Sequence, residues 1–332
     1  MLLRLVQINF LLLVFLHSGF SQESQSFYAS TITEKVYTDL RIALQSKELV
    51  HRLNLSRQEL KSFPQEIFQF ENLQYLVLNE NEIEQIPLRS NQLNNLVYLS
   101  IKNNKIREIE IPDNCLTQLK ELHLDFNQLL EFPELNNELM ELTTLSLNYN
   151  YITQLPPNQI SLSRLQHFNM DANPLRNAEQ AFTYSTQLER LSLFRTKLDS
   201  IPKNLVFGRI LKLVLGDNPI DLKQITASSF PKLEYLDASH CNLYSNTALI
   251  PICKLKSLKY LILDDCRIQN LPSEIINLKK LREISLIKND LKVLPPEFYQ
   301  LKLKLINLEK NPLNQEQKDL IRKKLPKATI HF

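Results

Sequence analysis

Four consecutive stretches of the chain repeat one pattern: LQYLVLNENEI (73–83), LVYLSIKNNKI (96–106), LKELHLDFNQL (119–129) and LTTLSLNYNYI (142–152). They begin 23 residues apart and share the form L-x-x-L-x-L-x-x-N-x-L, whose places we number as motif positions 1 to 11. Eight further units start at residues 50, 165, 188, 210, 233, 258, 281 and 303. Twelve in-phase units at this period indicate a solenoid, in which each repeat stacks on its neighbours.

Each unit begins with the pattern of a strand. Apolar residues at motif positions 4 and 6 flank a polar residue at position 5, which is typical of a strand with one buried face. An asparagine at position 9 follows in eight units, and its amide can both donate to and accept from the backbone of adjacent coils. The sequence therefore predicts parallel strands joined by a ladder of position-9 side chains: Gln58, Asn81, Asn104, Asn127, Asn150, Asn173, Thr196, Asn218, Cys241, Cys266, Asn289 and Asn311.

The second half of each unit carries a bend and a short return arm. Proline lacks the N–H that a helix interior or a central strand requires. It occupies motif position 15 in seven units, at Pro64, Pro87, Pro133, Pro156, Pro202, Pro272 and Pro295. Apolar residues then follow at helix-like spacing, as in LPSEIINLKKL (271–281), which predicts a short helix or 3₁₀ turn.

These units resemble the leucine-rich repeat family over residues 50–313. The 23-residue Leu-Pro form is similar to the typical subclass of Ras-suppressor-like proteins and of many secreted bacterial proteins. The resemblance implies an α/β solenoid, a horseshoe with a parallel β-sheet on its concave face and short helical or 3₁₀ segments on its convex face. It also implies a binding scaffold rather than an enzyme.

Residues 1–21 carry the pattern of a signal peptide. One cation, Arg4, precedes a mostly apolar run to Leu16, and small residues stand at Gly19 and Ser21. We expect cleavage near Ser21 and a secreted, periplasmic or cell-envelope protein. No second stretch is long and apolar enough to cross a membrane, so we expect no span in the mature chain.

Both ends of the repeat region are predicted to be capped, because a solenoid otherwise exposes its core there. Thr31-x-x-Glu34 has the form of a capping box, so residues 22–49 are expected to form an N-terminal helical cap that includes Val36. Residues 314–332 are expected to form a C-terminal cap helix, beginning near Asn314, and an edge strand.

Composition argues against several functions. With three glycines no phosphate-binding loop can be written, and 39 basic against 36 acidic residues leave no basic footprint for nucleic acid. His123 and His167 are expected on the surface, two coils or about 10 Å apart, too far to share a metal or a proton. We therefore expect no cofactor, no metal site and no enzymatic activity.

The cysteines leave one alternative open. Cys241 and Cys266 occupy the same motif position in adjacent coils, close enough for a disulfide. The favoured interpretation is a pair of buried thiols that replace asparagine in the ladder.

The concave face is the predicted binding surface. Residues at positions 2, 3, 5, 7 and 8 form columns about 4.8 Å apart across it, and aromatic side chains are concentrated there. The predicted ligand-binding residues are Tyr98, His123, Phe126, Tyr149, His167, Asp171, Phe194, Arg195 and Asp217.

Mixed charge on this face favours a protein or peptide partner. Because aromatic faces also stack on sugar rings, carbohydrate or cell-wall binding is the alternative. If the signal peptide prediction is wrong, an intracellular signalling scaffold is the remaining interpretation.

Overall fold

The computed structural model describes residues 35–135, 139–155, 163–176, 187–201, 207–241, 243 and 246–332. These residues form one parallel sheet of fourteen strands, ordered β1 to β14 as in the chain. The strands are β1 (Val36–Tyr37), β2 (Arg52–Asn54), β3 (Tyr75–Val77), β4 (Tyr98–Ser100), β5 (Glu121–His123), β6 (Thr144–Ser146), β7 (His167–Asn169), β8 (Arg190–Ser192), β9 (Lys212–Val214), β10 (Tyr235–Asp237), β11 (Tyr260–Ile262), β12 (Glu283–Ser285), β13 (Leu305–Asn307) and β14 (Thr329–His331).

The register of the sheet follows the repeat. Leu76 on β3 pairs with Leu99 on β4, which pairs with Leu122 on β5, so motif position 4 always faces motif position 4. These leucines are at most 1% exposed, because their side chains point into the core between the sheet and the return arms. The fold is the predicted leucine-rich solenoid, a horseshoe with the sheet on its concave face.

The position-9 ladder joins each coil to the one before it. Asn127 accepts a hydrogen bond from the Ile106 N–H at 3.1 Å and donates to the carbonyls of Ile101 (2.8 Å) and Leu124 (3.1 Å). Where cysteine takes the place, Cys266 Sγ lies 3.2 Å from the Ala238 carbonyl of the preceding coil. Cys241 and Cys266 are free, buried thiols.

Position 8 is held in a left-handed backbone conformation in every unit. None of the twelve residues is glycine, although L-residues with side chains disfavour this region. The residues, with φ between 52° and 60°, are Arg57, Glu80, Asn103, Phe126, Tyr149, Ala172, Arg195, Asp217, His240, Asp265, Lys288 and Lys310. This turn directs the chain away from the sheet immediately after each strand.

The predicted return arm is a 3₁₀ turn after three of the position-15 prolines, but residues 88–95, which follow Pro87, contain neither a helix nor a 3₁₀ turn. Gln65–Gln69, Ser273–Asn277 and Pro296–Gln300 follow Pro64, Pro272 and Pro295. Other 3₁₀ turns are Lys47–Leu49, Leu222–Gln224, Asn246–Leu249 and Ile252–Lys254. Pro156 and Pro202 lie outside the described residues.

The N-terminal cap differs from the prediction. Val36 lies in β1, not in a helix, and α1 (Leu40–Leu44) begins only after Asp39, whose carboxylate accepts from the N–H groups of Arg41 and Ile42. β1 pairs with β2, so the first strand of the cap extends the sheet. The predicted capping box, Thr31 to Glu34, and the signal peptide lie outside the described residues.

At the other end, α2 (Gln315–Lys324) begins after Asn314, whose side chain accepts from the Gln317 N–H at 2.8 Å. β14 then pairs with β13 and becomes the last strand of the sheet. Among the described helices, none is long and apolar enough to cross a bilayer.

The ladder predicts a graded response to substitution at Asn127. Asn127→Ala should lower the free energy of unfolding by about 2–4 kcal/mol, because it leaves a buried N–H and buried carbonyls without partners. Asn127→Cys should lose about half as much, because the thiol can donate to the same carbonyls, as Cys266 does. Urea unfolding measures both; equal losses would contradict the role of the donor.

Candidate binding surface

The centre of the concave face carries a stacked aromatic pair. Phe126 and Tyr149 occupy position 8 of adjacent coils, with ring centroids 4.3 Å apart and planes 7° from parallel. Phe126 is 45% exposed, and Tyr149 is partly buried. Burial, and then the nearby Asp171 carboxylate, raise the pKa of Tyr149 to about 12, so its hydroxyl stays protonated at neutral pH.

Acidic and amide side chains at position 7 bind the next coil. Asp171 accepts from the Ser192 hydroxyl at 2.6 Å and from the Phe194 N–H at 2.8 Å. Asn79 plays the same part with Ser100 and Lys102, both at 2.8 Å. The concave serines at position 5 are therefore hydrogen-bond partners of the preceding coil.

The sequence contains a signal for this network that becomes visible only when neighbouring units are compared. Four pairs of an Asp or Asn at position 7 and a Ser at position 5 of the next unit are each separated by 21 residues. The pairs are Asn79 with Ser100, Asp125 with Ser146, Asp171 with Ser192, and Asp264 with Ser285.

Two of these carboxylates differ in their electrostatic surroundings. Lys102 Nζ lies 3.0 Å from Asp125 Oδ2. Burial opposes ionisation of Asp125, but Lys102, His123 and the Ser146 hydroxyl together outweigh burial and lower the pKa of Asp125. No ion pair joins Asp171 to a cation in the part of the chain that the structure describes. Burial therefore raises the pKa of Asp171 to about 6.

Phe194 and Arg195 continue the surface on the next coil. The Phe194 ring lies directly over Gly216, where an added Cβ would come within 2.9 Å of the ring. Arg195 Nε lies 3.0 Å from Asp217 Oδ2, with both side chains largely exposed. The structure thus brings Phe126, Tyr149, Asp171, Phe194, Arg195 and Asp217 together on adjacent coils.

Tyr98 and His123 form a separate row toward the N-terminus. Tyr98 stacks between Tyr75 (centroids 5.8 Å apart) and His123 (5.1 Å). The expectation that His123 is a surface residue is wrong: it is 9% exposed, and its Nε2 lies 3.1 Å from Glu121 Oε2. The rings of this row serve mainly to pack neighbouring coils.

His167 begins a short basic column at position 3. It pairs in register with Arg190, which pairs with Lys212. Burial and then Arg190 lower the pKa of both His167 and Lys212. His167 Nδ1 lies 3.3 Å from Thr144 Oγ1. This column lies on the strand-start side of the face, about 13 Å from the position-7 column.

The arrangement suits recognition by contact. It offers aromatic area, a carboxylate and basic groups on neighbouring strands. In the described residues, no group of three or more His, Cys, Asp or Glu side chains could hold a metal ion.

The sheet, the ladder and the repeat register define a leucine-rich solenoid. Family models described as a leucine-rich repeat region, and twice as a leucine-rich repeat, match residues 213–316, 48–106 and 141–162. The chain belongs to the leucine-rich repeat proteins. No curated protein sequence matches it significantly.

Solved structures share the architecture. An internalin of Listeria monocytogenes is 21% identical, with 88% of this chain and 92% of that chain covered and a TM-score of 0.62. TLR13, solved in complex with ssRNA13, is 22% identical with a TM-score of 0.67; 89% of this chain aligns to 49% of that chain. A leucine-rich repeat protein of Leptospira interrogans is 25% identical over 90% of this chain and 100% of that chain, with a TM-score of 0.44. The first two show a common fold.

The difference between Asp171 and Asp125 predicts opposite effects of the same substitution. Because its folded pKa is raised, ionised Asp171 lowers stability as pH rises from about 4 to about 6. Asp171→Asn keeps an acceptor, as Asn79 shows, and should raise the free energy of unfolding by about 1–2 kcal/mol near pH 7.5, with no gain near pH 3.5.

Asp125→Asn is the matched comparison. It should lower the free energy of unfolding by about 1–2 kcal/mol near pH 7.5, because it leaves Lys102 without its acidic partner. Urea unfolding at the two pH values measures both variants. Destabilisation by Asp171→Asn at neutral pH would show that its carboxylate is compensated.

Proposed function

We propose that this protein is an exported, non-catalytic scaffold that binds a protein or peptide partner on its concave face. The observation that carries this proposal is the central surface, which we define by Phe126, Tyr149, Asp171, Phe194, Arg195 and Asp217. Here a partly exposed aromatic pair adjoins charges of both signs. Aromatic side chains give large contact area at low entropic cost and dominate many interfaces.

The mixed charge favours a protein over a nucleic acid. TLR13, with the same fold, was solved with an RNA, so the arc by itself suits more than one class of ligand. Here the basic column of His167, Arg190 and Lys212 lies on the same concave face as the carboxylates of Asp171 and Asp217, and a polyanion would meet charges of both signs. A polypeptide, which carries charges of both signs, fits such a surface better.

A capture experiment with a matched pair of tyrosines tests the proposal. Tyr149 lies on the concave surface, whereas Tyr151, two residues later, is 57% exposed at position 10. Immobilised residues 22–332 are incubated with medium and envelope extract of the host, and captured proteins are quantified by mass spectrometry. Tyr149→Ala should weaken saturable capture more than about tenfold, and Tyr151→Ala should not.

Folding does not confound this comparison. Ala172 occupies position 8 of the next unit at φ 55°, so Tyr149→Ala reproduces a backbone environment that the chain already contains. Circular dichroism of each variant provides the control. Capture that is equally sensitive to both substitutions would contradict the concave face as the binding surface. A glycan array distinguishes the carbohydrate alternative.

Export is tested by the N-terminus of the native protein. We expect a mature chain that begins at Gln22 in the medium or envelope fraction, because the small residue Ser21 precedes the cleavage point. Mass spectrometry of the protein recovered from each cell fraction identifies both its N-terminal residue and its location. An intact Met1 in the cytoplasm would contradict export and favour the intracellular scaffold.

A further inference from the structure

The central surface holds a carboxylate, Asp171, that forms no ion pair within the described part of the chain. Asp171 Oδ1 is occupied by the Ser192 hydroxyl and the Phe194 N–H. The side chain is only partly buried. Neither of the two hydrogen bonds uses its second oxygen, Oδ2.

Two cations on the following coils contact other side chains. Arg195, one unit further along the position-8 column, is paired with Asp217 at 3.0 Å. Lys212 lies over the Tyr235 ring, with its Nζ 4.6 Å from the centroid. Neither side chain forms an ion pair with Asp171, so a positive charge from a ligand would be attracted to this carboxylate.

An aromatic surface lies beside the carboxylate. Tyr149 and Asp171 belong to adjacent coils, joined by a 2.7 Å hydrogen bond from the Tyr149 N–H to the Asp171 carbonyl. The stack of Phe126 on Tyr149 presents π-faces to this region, and Phe126 is 45% exposed. A cation near an aromatic face is attracted by the ring quadrupole, and more strongly when a carboxylate adjoins it.

We propose that the concave face recognises a basic side chain of its ligand: a lysine ammonium or arginine guanidinium lies against the Phe126–Tyr149 pair and forms an ion pair with the Asp171 carboxylate. This inference rests on the proposed function and names the chemical feature that the partner must present. The Arg195–Asp217 pair borders this subsite on the side of the next coil.

The chain provides a matched pair of substitutions for the test. Asp264 accepts from Ser285 (2.6 Å) and from the Ile287 N–H (2.8 Å), as Asp171 accepts from Ser192 and Phe194, but it lies four coils away. Asp171→Asn and Asp264→Asn both retain the acceptor oxygen. Only the first removes the carboxylate beside the aromatic pair.

The experiment selects random twelve-residue peptides, displayed on phage, on immobilised residues 22–332. We expect enrichment of peptides that contain lysine or arginine. A synthetic peptide of the enriched sequence should bind about tenfold more weakly to Asp171→Asn and to Phe126→Ala, with unchanged affinity for Asp264→Asn and Tyr151→Ala. Fluorescence anisotropy measures these affinities.

A double-mutant cycle assigns the contact. Replacing the basic residue of the peptide by glutamine should cost about tenfold against the wild-type protein and little against Asp171→Asn. Enriched peptides without a basic residue, or an absence of this coupling, would overturn the inference. Either result would still be compatible with peptide binding on the concave face. A selection that yields no saturable binder also overturns it, and the capture of host proteins through Tyr149 decides the proposed function separately.

Discussion

Every coil of this solenoid must satisfy the backbone groups that it buries when the chain turns away from the sheet. An unpaired N–H or C=O there would cost as much as several favourable contacts provide. The position-9 side chain meets this need with one acceptor and several donor contacts, as Asn127 does between Ile106 and Ile101. Because each rung joins two coils at fixed distance, all other motif positions are brought into aligned columns, including those of the binding surface.

The left-handed turn at position 8 depends on this alignment. For a residue with a side chain, the conformation costs about 1–2 kcal/mol, yet all twelve units adopt it without a glycine. The hydrogen bonds of the ladder and sheet determine the backbone there, whichever side chain is present. The position-8 column consequently tolerates residues as different as Phe126, Ala172 and Arg195. Its side chains are therefore free to vary with function.

The repeat made the architecture predictable, because its period, register and position-9 residues are all properties of single units. Contacts that join different units were harder to predict from the sequence. The 21-residue spacing from Asp171 to Ser192 crosses a unit boundary, and the burial of His123 depends on Tyr98 and Glu121 beside it. The helical spacing around Val36 misplaced the start of the cap, because pairing with β2 outweighs a local helical preference over so few residues.

The same reasoning separates structural from functional charge on the concave face. Position 7 requires an acceptor for the next coil, and Asn79 shows that a neutral amide supplies it. At Asp125 a negative charge has a structural explanation, since Lys102 lies 3.0 Å away. At Asp171 the acceptor role explains the oxygen but not the charge, which burial disfavours. A carboxylate that burial disfavours and that adjoins an exposed aromatic pair has the properties that the proposed recognition of a basic side chain requires.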